Sequence, residues 1–320
     1  MRALRFDRYG SSAVLKVEEV SEPLPRPGQA KVRVHAAGLN PIDWKIRAGH
    51  LRLIPVFRGP PRGLGCDFAG EVVAIGGGAS ERYVGERVFG SLVPFLRDGA
   101  LAEFVVVGYD RILPIPDGID EPTAATLPVS GGTALQGLSD EAGVVAGRRV
   151  LVNGAAGGVG HFAVQIAKHL GTHVVGACSA ANAEFVRGLG AEETIDYARE
   201  DFTKRSDRFD VVFDAAGASS FEASKKVLTE FGCYLNTSGT MEAVATTAVS
   251  AVIARFTSRQ RAIPLVLRNG PPMWHRLVQL VRSGALHPHI ERTIALEEVP
   301  AAQRDMETGH GRGKIVVRVR

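Results

Sequence analysis

Only three cysteines occur in the 320 residues, Cys66, Cys178 and Cys233. They are odd in number, far apart and without C-x-x-C spacing, so neither a disulfide framework nor a structural zinc site is expected, and a reducing, cytoplasmic setting is. No apolar run approaches the roughly 18 residues of a membrane span. The start, "MRALRFDRYG", has strand-like alternation and no apolar signal core, so an unexported protein is expected. Basic residues exceed acidic ones by only 38 to 34, a formal charge of +4, and no Lys/Arg run with interleaved aromatics is present. Nucleic acid is therefore not an expected partner, whereas a mildly basic balance suits a ligand carrying phosphates. Internal repeats and low-complexity tracts are also missing. At 45% hydrophobic and 22% charged residues, the chain has the composition of a globular enzyme and the length for about two domains.

Glycine, by contrast, is abundant, with 37 residues, and Gly154, Gly157, Gly158 and Gly160 fall within seven positions. Val150-Leu151-Val152 ahead of them reads as a strand, and His161 to Leu170 carries apolar residues at helical spacing. Residues 155–160 form A-x-G-x-x-G, one step from the dinucleotide fingerprint, with alanine at the first glycine. A Cβ there would keep a pyrophosphate away from the N–H groups at a helix N-terminus, where the helix dipole favours an anion. Ala156, Gly157, Gly158 and Val159 are thus the expected pyrophosphate cradle, and Gly160 a packing glycine. An ordinary strand-helix turn has the same pattern, so the surroundings must decide.

From Met1 to about Pro116 short Val-rich runs such as "AKVRVHAAG" and "FAGEVVAIG" predict strands. From Glu121 to about Val266 strands and helices alternate, which predicts a parallel sheet, with "SFEASKKVLTEF" as one of the helices. An amphipathic helix, "MWHRLVQLVRSG", and a strand, "GKIVVRVR", close the chain. The organisation expected is α/β: a β-rich catalytic domain over residues 1–121, a nucleotide-binding domain over 122–266, and a return to the catalytic domain over 267–320. The cleft between them would hold cofactor and substrate. "SLVPFLRDG" and "TMEAVATTAVSAVIARF" are expected to make its walls apolar.

"AAGLNPIDWKIRAG", "GCDFAGEVVAIG", "GAAGGVGHFAVQIAKHLG", "LGAEETIDY" and "GRGKIVV" follow one another across nearly the whole chain. In this order they resemble the zinc-independent quinone oxidoreductases of the medium-chain dehydrogenase/reductase superfamily, most closely the chloroplast-envelope and bacterial branch. The resemblance implies a GroES-like domain with a Rossmann doubly wound domain inserted in it, and NADPH-dependent reduction of quinones or α,β-unsaturated carbonyls. It also places Asn40, Cys66 and Val129 where zinc-binding relatives have Cys, His and Cys, a set that cannot make a normal zinc site. His287 and His289 in "HPH" are read as incidental, so no metal is expected.

An NAD-binding Rossmann domain usually ends its second strand with an acid that holds the ribose 2′-OH, and "HVVGACSAAN" has none. Ser179 and Asn182 offer neutral hydrogen bonds instead, and NADPH is the expected cofactor. Arg312 and Lys314 are candidates for the charge that would face a 2′-phosphate. By resemblance Tyr197 is an adenosine-side contact, or a capping aromatic. Thr133 is likewise a nicotinamide-side contact, or else a helix N-cap. At the substrate end, reduction of an enone requires a donor aimed at the carbonyl oxygen. Asn40 offers an N–H, Lys45 a charged donor unless it is a solvated surface residue, and Asp43 is expected to orient Lys45 or Arg47. Cys66 and Asp67 are read as packing and supporting residues, with no histidine in their motif to activate a thiol. A metal-free alcohol dehydrogenase and a non-catalytic NADP-binding protein are the alternatives. A homodimer is expected, paired through "AIPLVLR", Ala262 to Arg268, although a covered internal strand would have the same pattern.

Overall fold

Alternating, Val-rich segments in the first third become antiparallel strands in the computed structural model, which describes residues 1–52, 59–77, 84–92, 98–238, 241–309 and 311–319. β1 (Arg2–Phe6) lies between β2 (Lys16–Glu19) and β4 (Arg62–Gly63). β3 (Gln29–Gly38) is the axis of a larger sheet and pairs with β5 (Asp67–Ile75) and β7 (Phe104–Gly108), while β6 (Arg87–Ser91) links β5 to β8 (Ile112–Pro114). Val32 opposes Val72 across β3 and β5, and both join Val34, Phe68 and Val88 in a core between the sheet faces.

The alternating middle of the chain gives six parallel strands, β9 (Arg149–Asn153), β10 (His173–Cys178), β11 (Glu193–Asp196), β12 (Phe209–Asp214), β13 (Leu228–Asn236) and β14 (Arg261–Pro264). Their order, β11-β10-β9-β12-β13-β14, is the doubly wound one, which opens a crevice at the C-terminal ends where β9 meets β12. Val150, Leu151 and Val152 are fully buried, as a strand covered on both faces requires. β15 (Ile290–Ala295) and β16 (Lys314–Arg318) return to the first sheet, with β16 antiparallel to β3 and Val316 opposite Gly38. The helix Pro271–Arg282 buries Trp274 against Phe89, ring centroids 5.8 Å apart, in the core that also holds Phe162 and Phe213.

One expected helix is much shorter than its sequence pattern suggests. Ser220 caps the helix Phe221–Ser224 by accepting from the Ala223 N–H, but Leu228 already pairs with Phe209 as the start of β13. Thr229, Phe231 and Tyr234 favour a pleated surface, and pairing with β12 overrides local helical spacing. The apolar run 262–268 divides too: β14 is the sheet edge and ends at Pro264, which has no N–H to continue a ladder. In the two expected wall segments, residues 93–97 and Thr240 lie outside the described residues.

Candidate active site

β9 stops at Asn153 and a helix starts at Gly160, so residues 154–159 turn at the mouth of the crevice. Asn153 Nδ2 donates to Asp214 Oδ1 at 2.8 Å, and Asp214 also accepts from the Gly217 and Ser219 N–H groups and the Tyr234 hydroxyl. This buried carboxylate joins the ends of β9, β12 and β13. It was missed from sequence, where the only signal was an acid closing "DVVFD". The two fingerprint glycines differ in what surrounds them. A Cβ on Gly160 would stand 2.0 Å from Gly154 O, whereas one on Gly157 would meet only that oxygen, at 3.4 Å. Gly160 permits packing and Gly157 permits access.

The turn opens on a cavity of about 1230 Å³ between the two sheets, lined by Ala156, Gly157, Gly158 and Val159 on one side and Asn40 and Lys45 on the other. Its volume and open glycine cradle suit a dinucleotide. The first turn of the helix Gly160–His169 is tied down by His161. Its Nδ1–H donates to Gly157 O at 3.0 Å and its Nε2 accepts from the His289 N–H at 3.3 Å. Burial pushes the His161 pKa down to about 3, so the ring is neutral. The "HPH" segment is thus a backbone docking point, since His287 also bonds Gln165 through its N–H and C=O.

At the far end Ser179, Asn182 and Tyr197 line the cavity, with Tyr197 half exposed at the rim. Arg312 and Lys314 point different ways. Arg312 donates to Asn182 Oδ1 at 2.9 Å and to Ala181 O at 3.1 Å, with its guanidinium over the Phe185 ring. Lys314 is buried at the opposite end, where its ammonium donates to Leu39 O and Asn40 Oδ1, both at 2.6 Å, and to Ser130 Oγ at 3.1 Å. Of the two cations only Arg312 stands beside Asn182.

The substrate end corrects three expectations. Asn40 Nδ2 donates to Asp67 Oδ2 at 2.9 Å and Gly38 O at 3.2 Å, so both amide protons are engaged and none is available to a substrate. Asp43 neither orients Lys45 nor Arg47. Its Oδ2 accepts from the Asn40 N–H at 2.8 Å and caps the helix Pro41–Ala48, whereas Arg47 reaches Gln303, Gly10 O and Glu307. Thr133 is not an N-cap: its hydroxyl donates to Val129 O, four residues back, at 2.7 Å, leaving its lone pairs beside the cavity. Lys45, by contrast, is no surface residue. It is 8% exposed, lines the cavity and donates to Ser238 O, just beyond β13. Burial lowers its pKa below the usual lysine value.

Residues 189–317 match a family described as zinc-binding dehydrogenase, and residues 26–117 the alcohol dehydrogenase GroES-like domain. The chain is 34% identical to the chloroplast envelope quinone oxidoreductase homolog of Arabidopsis thaliana, over 99% of this chain and 98% of the relative. It belongs to the quinone oxidoreductase family of the medium-chain dehydrogenase/reductase superfamily. Another member, the 2-methylene-furan-3-one reductase of Solanum lycopersicum, is 33% identical over 99% of this chain and 79% of its own. Among solved structures of the family, the quinone oxidoreductase from Coxiella burnetii superposes with a TM-score of 0.89 at 35% identity, covering 100% of this chain and 99% of its own. That of Escherichia coli, complexed with NADPH, gives 0.87 at 25% identity over 100% of both. The family description mentions zinc, and the residues at the ligand positions do not fit it. Asn40 Oδ1 accepts from an ammonium, the Cys66 thiol is held neutral by burial, and Val129 has no donor atom.

Proposed function

We propose that this chain reduces quinones and α,β-unsaturated carbonyls with NADPH and without metal. The observation that carries this reading is a buried lysine ammonium, Lys45, in the same cavity as an open glycine turn. NADPH, when bound, supplies the hydride. The N–H groups of the turn and of the following helix would take its pyrophosphate, with Gly157 giving access. Ser179, Asn182 and Arg312 form the end that selects a 2′-phosphate, with Tyr197 at the rim. The Thr133 oxygen can accept an amide N–H at the reacting end. Lys45 donates to the substrate carbonyl oxygen, where negative charge builds during reduction, and its lowered pKa makes the later proton transfer easier. Its acceptor in this structure is Ser238 O, which a bound substrate carbonyl would replace.

The arrangement favours a homodimer, because among the described residues β14 leaves a free edge on the six-stranded sheet, and the adjacent helix Met241–Thr257 exposes Val252, Ile253 and Phe256, the last at 82%. Light scattering at micromolar concentration should report twice the chain mass, and a monomer would refute the pairing. Three buried, unpaired cysteines suit the reducing cytoplasm, and no helix among the described residues is long and apolar enough to cross a membrane. The functional test follows NADPH oxidation with 9,10-phenanthrenequinone, 2-cyclohexenone and a plain aldehyde. Turnover of the first two only is expected. Preference for the aldehyde would favour a carbonyl reductase, and no turnover at all a non-catalytic NADP-binding protein.

A further inference from the structure

We infer that Lys314 is a positioning residue, whose buried ammonium holds the start of the helix bearing Lys45 at a fixed place against the glycine turn. The inference rests on the reading of Lys45 given above. All three ammonium protons are engaged, by Leu39 O, Asn40 Oδ1 and Ser130 Oγ. Leu39 and Asn40 lead into the helix Pro41–Ala48, and Ser130 belongs to the helical segment Leu127–Gly131 that precedes Thr133. The lysine stem also runs past the glycine turn, its Cδ 3.5 Å from where a Cβ on Gly158 would stand. The neighbouring Gly313 N–H donates to Ala156 O at 2.7 Å, and so ties the same strand to the turn.

The connection continues through Asn40. Its Oδ1 is held by Lys314 and Ser130 Oγ, and its Nδ2 by Asp67 Oδ2, which also accepts from the Val129 N–H at 3.2 Å. The amide therefore has one orientation, and Asn40 is both the N-cap of the helix and the residue gripped by the cation. Lys45 follows five residues later on the same helix, so the place of its ammonium relative to the turn depends on that grip. A buried charge contributes little to stability for the desolvation it requires, and fixing one geometry is the better account of its presence here. Burial lowers the Lys314 pKa, and the buried Asp67 and Asp43 nearby act against that shift.

The test compares Lys314→Arg, Ser130→Ala and the charge-balanced double variant Lys314→Met/Asp67→Asn. Steady-state kinetics with 2-cyclohexenone and NADPH titration by fluorescence are combined with hydrogen exchange of residues 41–48. The double variant should lower enone kcat by about thirtyfold or more with the NADPH Kd within about threefold, and exchange over 41–48 should quicken about tenfold. Ser130→Ala should move kcat and exchange in the same direction by less, and Lys314→Arg should keep most of the wild-type kcat. A rise in NADPH Kd of about tenfold with kcat intact would overturn the inference in favour of a phosphate ligand. Unchanged kcat and exchange would overturn it outright. If the double variant does not fold, the same two outcomes for Ser130→Ala decide. Wild-type protein inactive on both enone and quinone would refute the functional reading, whereas the exchange data would still test the grip.

Discussion

Replacing Lys45 with methionine keeps most of its volume and removes the donor. A hydrogen bond to a charged group contributes about 1.5–3 kcal/mol, and losing one oxyanion donor costs about 2.7–4 kcal/mol in catalysis. Lys45 is 8% exposed, so little water is at hand to replace it. Against that, the ammonium must leave Ser238 O to reach the substrate, an exchange that offsets about 1 kcal/mol. The balance is about 2–3 kcal/mol, or roughly a 30- to 150-fold loss of kcat on 2-cyclohexenone. The NADPH Kd should stay within about threefold, because no cofactor-binding role is given to this side chain. 9,10-Phenanthrenequinone should suffer less, since its second carbonyl delocalises the incoming charge. Single-turnover NADPH oxidation at saturating cofactor measures these effects without product release. The pH profile supplies a second check: burial lowers the Lys45 pKa, so the wild-type enone rate should fall on the alkaline side earlier than an ordinary lysine would dictate. Methionine should abolish that limb. Enone turnover unchanged in Lys45→Met, with NADPH saturating, would refute the donor role.

Arg312→Ala should weaken NADPH by about tenfold or more, about 1.4 kcal/mol, and leave NADH unchanged; calorimetric titration showing equal losses for both nucleotides would remove Arg312 from the 2′-phosphate end. Gly157→Val should abolish NADPH binding while the melting temperature stays within a few degrees, because a side chain there enters the cavity rather than the core. Stability should also respond to pH in two opposed ways. His161 titrates near 3 in the folded chain against an unfolded value near 6.5, so its stabilisation is present above pH 6.5 and lost as pH falls towards 3. Asp43, raised by burial to about 7 from 3.8, stabilises below pH 3.8 and loses that contribution as pH rises through 7. Urea unfolding from pH 3 to 8 should show His161→Gln flattening the acid side and Asp43→Asn the neutral side, each by at most about 4 kcal/mol; parallel profiles for all three proteins would sink this account.

Where pattern is local and periodic, the fold was legible. "RVLVN" became a buried parallel strand because three consecutive apolar residues bounded by polar ones fit a strand covered on both faces. The fingerprint glycines were legible too, since Gly160 and Gly157 answer to steric needs within a few residues of themselves. "SFEASKKVLTEF" failed for the opposite reason: its helical spacing is local, whereas Leu228 is claimed by a partner strand nineteen residues earlier. Lys45 was singled out from sequence as a residue of the substrate end, and the structure brings it into one cavity with the glycine turn.

What sequence could not disclose is which polar atoms are already engaged. Asn40 looks like a free donor in "NPIDWK", but its partners are Asp67 and, 274 positions away, Lys314. No local signal carries such a pairing, because a buried lysine and a solvated one are identical as letters. The same pairing bears on the absent zinc set. The resemblance places Asn40, Cys66 and Val129 at the zinc-ligand positions, yet only the three-dimensional arrangement shows the chain's own ammonium bonded to Asn40 Oδ1. A divalent ion at that place would meet a like charge at close range, in surroundings where water screens it poorly. The protein thus has a fixed cation where its zinc-binding relatives have a ligand, but that cation is saturated by three acceptors. On the function proposed above, polarising a substrate carbonyl therefore falls to Lys45, whose ammonium, among the described residues, bonds only Ser238 O.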